Sequence, residues 1–110
     1  MDYLKEIPIA VTICDADGKI IYLNEKAVQV FENDGGTKLI GQSLFACHSN
    51  ESNEKIKSIL NEQKPNAYTI EKNGIKKFIY QTPFYENQKL QGLIEFSFEI
   101  PFELPHFKRD

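Results

Sequence analysis

The stretch IPIAVTICDADGKIIYLNEKAVQVF, residues 7–31, decides the fold of this chain. In its first half, large apolar residues alternate with smaller ones, which is the period of a β-strand and predicts a strand over residues 9–14. The sequence DADG at 15–18 predicts a tight turn, because aspartate side chains bond backbone amides and glycine adopts positive φ. Residues 19–23 are rich in β-branched and aromatic side chains, so we expect them to return as the second strand of a hairpin.

The period changes from two to that of a helix at Asn24. Asparagine is a good N-cap, and apolar residues follow it at helical spacing, which predicts a helix over residues 25–32. Residues 37–48 predict short helical pieces at best. A second helix is expected from Ser49, with acidic residues in its first turn and a limit set by Pro65.

Strand patterns return after this second helix. The pair Asn73-Gly74 is the strongest short hairpin signal and is followed by a long alternating segment over residues 75–85. A last strand is predicted over residues 90–100. The order is therefore two strands, helices and three strands, which predicts an α+β fold with one antiparallel sheet and the helices packed on a single face.

Length and composition limit the class of protein. A chain of 110 residues suits one domain, which we place at 1–110 with a core over 7–100 and a C-terminal tail over 101–110. The formal charge of −3 gives no support for nucleic-acid binding. The N-terminal residues do not have the pattern of a signal peptide or a membrane span, so we expect a cytoplasmic protein without membrane contact.

The quoted stretch resembles the opening of PAS domains: strand, Asp-x-x-Gly turn, strand, Asn and amphipathic helix. LFACHSNESNEKIKSIL at 44–60 resembles a PAS subgroup with Cys-His before a serine-capped helix, and GLIEFSFEI at 92–100 resembles the last PAS strand. The resemblance implies a five-stranded antiparallel sheet of order 2-1-5-4-3. It also implies a sensory, signal-transducing domain that binds a small ligand or cofactor in its core, or a protein partner through its sheet face.

In PAS domains the space between helices and sheet holds haem, flavin, a small metabolite or nothing, so the resemblance leaves the cofactor open and requires none. We expect aromatic and aliphatic side chains to line this space. The expected ligand-binding residues are Ile13, Tyr22, Phe31, Phe45, His48, Ile56, Leu60, Tyr68, Phe78, Tyr80 and Phe96.

Histidine and cysteine are the residues here that could bind a metal or react as nucleophiles. His48 is a weak candidate for a haem ligand, by resemblance to haem-binding PAS domains, but a histidine just before a helix is more often structural. No other metal site is expected. Cys14 and Cys47 lack CxxC spacing, and with no basic neighbour to lower their pKa they are expected to be inert thiols.

Two alternatives remain open. No motif for catalysis is present, so we expect no enzyme, although a small α+β barrel enzyme is the rival from that class. The other is a structural homodimerisation module with a filled core. It would pair through an exposed strand face around Glu95, Ser97 and Glu99, together with Leu93 and the apolar N-terminal residues Tyr3, Leu4 and Ile7. Pro101 follows the last strand where PAS domains usually begin a signalling helix, so we expect output through a homodimer or a signalling partner, unless the chain is part of a longer protein.

Overall fold

The computed structural model describes residues 1–47 and 50–110, and it contains five strands and two α-helices in that part of the chain. The elements are β1 Ala10–Asp15, β2 Ile20–Leu23, α1 Glu25–Val30, α2 Asn50–Glu62, β3 Asn66–Lys72, β4 Ile75–Glu86 and β5 Lys89–Ile100. Between the helices, 3-10 turns cover Glu32–Asp34, Gly36–Leu39 and Leu44–Cys47. The last two lie where short helical pieces were predicted, whereas α1 ends two residues before its predicted end at residue 32. No helix among the described residues is long and apolar enough to cross a membrane.

The five strands form one antiparallel sheet in the order β2-β1-β5-β4-β3, which confirms the predicted topology. The β3–β4 connection is the predicted Asn-Gly turn, with φ of 54° at Asn73 and 78° at Gly74. Two successive residues of positive φ define the type I′ turn, whose twist matches that of the flanking strands. The long β4–β5 hairpin closes in the same way, with φ of 52° at Asn87 and 67° at Gln88.

The first strand, β1, pairs with the last strand, β5, near the middle of the sheet. Asp15 of β1 pairs with Gly92 of β5, and a Cβ atom at Gly92 would overlap the carbonyl oxygen of Cys14 and lie 2.8 Å from Cα of Asp15. Glycine at this position therefore allows the two backbones to approach.

The helices cover one face of the sheet, which we call the inner face. Ala27 of α1 and Ile56 of α2 pack in one cluster with Cys14 of β1 and Leu93 of β5, and all four side chains are buried. Burial of these apolar side chains drives the helices onto the sheet.

Strand register then fixes which other side chains share the inner face. Directly opposed residues in an antiparallel pair point to the same side, and residues two apart along a strand do too. Cys14 opposes Leu93, Thr12 opposes Glu95, and Glu95 also opposes Gln81. The inner face of the central strands therefore carries Glu95 and Ser97.

The opposite side, or outer face, carries the aromatic residues of β4 and β5. Phe78 opposes Phe98 and Tyr80 opposes Phe96, one residue out of phase with the inner set. The rings of Phe78 and Phe98 contact one another across the β4–β5 pair, with their centroids 5.6 Å apart. The predicted interior position is therefore wrong for Phe78, Tyr80 and Phe96, because the most apolar face of the sheet is turned away from the helices.

The N-terminal segment is tied to the fold by Asn24, which is only 1% exposed. Its side-chain oxygen accepts from the amides of Val11 (2.9 Å) and Ala27 (3.0 Å), the second bond being the predicted N-cap of α1. Its side-chain nitrogen donates to the carbonyls of Leu4 and Ile9, both at 2.8 Å. One side chain thus connects β1, α1 and the residues that precede the sheet.

Candidate functional site

A chain of polar side chains crosses the inner face of β3, β4 and β5. The Asn66 side-chain nitrogen donates to Oε1 of Gln81 (3.0 Å), and Nε2 of Gln81 donates to Oε2 of Glu95 (2.9 Å). Gln81 is 4% exposed, and Thr12, which opposes Glu95 on β1, is 6% exposed. Burial of polar groups on a core-facing sheet is costly unless they are bonded, so this row is unusual for a purely structural core.

A cavity of about 190 Å³ lies over this polar row, between the end of α1 and the sheet. The side chains that line it and matter most here are Thr12, Phe31, Tyr68, Ile79, Glu95 and Ser97. Phe31, Tyr68 and Ile79 supply apolar surface, while the others supply two hydroxyls and a carboxylate. Apolar walls with a few convergent polar groups are typical of a small-molecule site, and this volume is below the roughly 300–1,000 Å³ usual for drug-sized ligands.

The carboxylate of Glu95 influences the cavity electrostatically. The pKa of the Tyr68 phenol is raised from its usual value, first by burial and then by the negative charge of Glu95. Tyr68 is 43% exposed and also borders a second hollow beside α2, lined by Ser52, Lys55 and Gln81. The cavity is therefore partly open along β3.

A larger groove of about 480 Å³ adjoins the cavity at the end of the sheet that carries Lys77. Val30, Lys77 and Ser97 line both spaces, so the groove and the cavity share a boundary. The groove additionally contains the charged side chains of Lys26 and Glu99.

Solved structures of similar shape share this arrangement of sheet and helices. The PAS domain of histidine kinase ThkA superposes with a TM-score of 0.68 at 22% identity over 81% of this chain and 96% of its own. The Aer2 receptor from Vibrio cholerae, described as a dual PAS-haem oxygen sensor, gives 0.66 at 18% identity over 84% and 95%. A sensory box sensor histidine kinase from Vibrio cholerae gives 0.65 at 16% identity over 90% and 87%.

This chain has the PAS fold. The resemblance read from residues 7–31 is thereby confirmed at the level of fold. No protein-family model and no curated protein matches the sequence. The Cys-His subgroup therefore stays a prediction.

The PAS cavity contains two of the residues expected to line it. Phe31 reaches it from the end of α1, and Tyr68 reaches it from the inner face of β3. Ile56 and Leu60 are buried in the core cluster, and Phe45 packs against that cluster. The Phe45 ring lies over Gly18 on one side and 5.4 Å from the Lys57 ammonium. These last three side chains fill the core around the cavity.

Five other expected residues lie outside the PAS core. Ile13, which opposes Ile94, belongs to the outer face with Phe78, Tyr80 and Phe96. Tyr22 opposes Ile13, and its hydroxyl donates to the Asp2 carboxylate at 2.6 Å. An interior position is therefore wrong for Ile13 and Tyr22 as well, and the phenol of Tyr22 finds its partner in the N-terminal segment.

Of the two thiols and His48, only the Cys14 side chain lies among the described residues. Burial raises the pKa of Cys14 to about 11, which opposes formation of the reactive thiolate and agrees with an inert role. His48 and the side chain of Cys47 lie outside the described residues, so both expectations stay predictions.

Sequence reasoning missed the polar residues that line the cavity, namely Thr12, Lys77, Glu95 and Ser97, and the two amides bonded in a row to Glu95, Asn66 and Gln81. It assigned Glu95 and Ser97, with Leu93, to an exposed dimerisation face, which is wrong, since Leu93 is buried and the other two line the cavity. No signal in the sequence identified this face, because the close approach of Gly92 to β1, which fits the observed register, is visible only in the structure.

Proposed function

We propose that this chain is a sensory domain that binds a small ligand in the cavity between α1 and the sheet. The observation that carries the proposal is the bonded row Asn66–Gln81–Glu95, which places polar groups on the inner face of the sheet where a structural core would be apolar. The structural neighbours named above, from two histidine kinases and an oxygen-sensing receptor, support a role in signal detection.

The size of the cavity supports a metabolite over a large cofactor. About 190 Å³ is small for haem or flavin, since pockets for drug-sized ligands already take roughly 300 Å³ or more.

A cavity-filling variant tests this proposal. Ser97→Phe places a large ring in the cavity from β5, whereas Thr69→Phe adds the same ring to the exposed outer face of β3 and is the matched control. A metabolite library is screened by thermal shift and by amide chemical-shift changes. We expect hits that bind the native chain and the Thr69→Phe variant but not the Ser97→Phe variant. Hits that bind all three equally, or no hits at all, would contradict ligand sensing in this cavity.

We propose a second role for the outer face, which is association with a further copy of the chain. Phe78, Tyr80, Phe96 and Phe98 form a contiguous aromatic surface there, and contiguous apolar surfaces of this kind mark interaction sites. Phe96→Glu should shift a concentration-dependent dimer to monomer in analytical ultracentrifugation, while Thr69→Glu, at the edge of the same face, should not. A native chain that stays monomeric up to millimolar concentration would refute this role.

A further inference from the structure

The ligand cavity contains two side chains of opposite charge that do not neutralise each other. Glu95 and Lys77 both line it, and within residues 1–47 and 50–110 neither forms an ion pair at 4.0 Å or less. Glu95 opposes Gln81, and Lys77 lies four residues before Gln81 on β4, which corresponds to about 13 Å of strand. The sheet itself therefore keeps the two charges apart.

Glu95 is held in place as an acceptor. Each amide of the row donates toward it, since Asn66 donates to Gln81 and Gln81 donates to Oε2 of Glu95. The Gln81 side chain is buried and bonded at both ends, so it is a positioning residue for the carboxylate. A carboxylate acceptor held in this way suits a protonated nitrogen, because charge-assisted hydrogen bonds are the strong ones.

Lys77 lies at the other end, where the cavity meets the groove. Lys26 lines the same groove, and Glu99 is the acidic side chain there, which leaves the mouth with an excess of positive charge. An anionic group is favoured at such a mouth, while the interior around Glu95 favours a cationic one. Between the two ends, Phe31, Tyr68 and Ile79 supply apolar wall.

From this separation of charges we infer that the ligand is a small zwitterion of the amino-acid class, with its ammonium group on Glu95 and its carboxylate toward Lys77. The apolar part of such a molecule packs between Phe31, Tyr68 and Ile79. This inference rests on the proposed ligand-sensing function and adds the chemical class of the ligand.

The test uses molecules that differ only in charge. The twenty proteinogenic L-amino acids are titrated into the whole chain by calorimetry, and the tightest binder is compared with its decarboxylated amine and its deaminated acid. We expect the zwitterion to bind at least tenfold more tightly than either analogue, since each loses one charge-assisted bond. An acid that binds as well as the amino acid, or no amino acid binding at all, would overturn the inference.

Variants of the two charges provide the second measurement. Glu95→Gln and Lys77→Gln should each weaken amino-acid binding, Glu95→Gln by about 10- to 100-fold, because its bond lies inside the cavity. Glu71→Gln and Lys89→Gln remove exposed charges away from the cavity and should leave affinity unchanged. If a molecule other than a zwitterion binds and Ser97→Phe abolishes its binding, ligand sensing stands and the zwitterion inference falls. If nothing binds, both fall.

Discussion

Replacement of Asn24 by alanine is the sharpest test of how this fold is held together. The substitution removes four side-chain hydrogen bonds and leaves the buried amides of Val11 and Ala27 without their acceptor. An orphaned buried amide costs about 1–3 kcal/mol, and loss of an N-cap alone costs about 1 kcal/mol. With partial rescue of the Leu4 and Ile9 carbonyls by water, we expect a loss of roughly 3–5 kcal/mol in the free energy of unfolding.

That loss is large for a chain of this size. A domain of 110 residues is stable by roughly 5–15 kcal/mol, so Asn24→Ala should lower the melting temperature by more than about 12 °C. Urea unfolding followed by circular dichroism measures the change directly. Asn61→Ala, on the exposed surface of α2, is the matched control and should stay within about 0.5 kcal/mol of the native chain.

An aspartate at the same position separates the two halves of the Asn24 network. Asn24→Asp keeps the acceptor for Val11 and Ala27 and adds a negative charge at the start of α1, but it cannot donate to Leu4 and Ile9. Because a carboxylate oxygen would then lie 2.8 Å from those two carbonyl oxygens in a site that is 1% exposed, we expect Asn24→Asp to be at least as destabilising as Asn24→Ala. A loss below about 1 kcal/mol for the alanine variant would refute the reasoning that Asn24 connects the N-terminal segment, β1 and α1.

Three further predictions follow from single contacts. Gly92→Ala should destabilise the chain by about 2–3 kcal/mol in urea unfolding, because the added methyl group overlaps backbone of β1, and a near-neutral result would contradict that close approach. In a Cys47→Ser variant, Cys14 is the only thiol left, and we expect it to react with a thiol reagent at pH 8 only as fast as the chain unfolds. The reason is burial, which shields the thiol and raises its pKa to about 11. Rapid labelling of the folded chain would argue against this burial. Burial and the bond to Asp2 raise the pKa of the Tyr22 phenol to about 12. The contact should therefore stabilise the fold fully below about pH 10, and this stabilisation should be lost as the pH rises through about 12. A Tyr22 ring that titrates near pH 10 by NMR would exclude the bond.

The elements of this fold follow from local sequence, because each depends on neighbours in the chain. The Asn73-Gly74 pair determines a hairpin by its own backbone preference, and Asn24 marks the start of α1 because its side chain reaches an amide three residues later. The four strands predicted with bounds, over 9–14, 19–23, 75–85 and 90–100, begin and end within one residue of those observed. The topology 2-1-5-4-3 came from the PAS resemblance, since pairing of β1 with β5 joins residues about eighty positions apart and leaves no local signal.

The site was not predictable to the same degree, since alternation shows that a strand has two faces but not which one the helices cover. In β5 the apolar set is Ile94, Phe96, Phe98 and Ile100, and the usual assumption turns that set inward. The structure turns it outward, and Glu95 and Ser97 face α1. The alternation of apolar and polar residues separated the two faces of β5 correctly. The expectation that the more apolar face packs against the helices then gave the wrong orientation of the strand.

This inversion connects the two proposed roles. The partly buried row of Asn66, Gln81 and Glu95 contributes little net stability, because the desolvation of polar groups offsets their bonds. Apolar side chains of similar volume would serve a purely structural core as well or better. The aromatic outer face likewise leaves apolar surface turned away from the helices. Each face is thus less stabilising for the isolated chain than an ordinary sheet would be. This agrees with the two proposals, a small charged molecule on the inner face and a second copy on the outer one. Both faces are built on β4 and β5, so the proposed ligand would contact the same strands that present the outer aromatic surface. If both proposals hold, ligand addition should change the dimer affinity measured by ultracentrifugation, because linked equilibria shift one another.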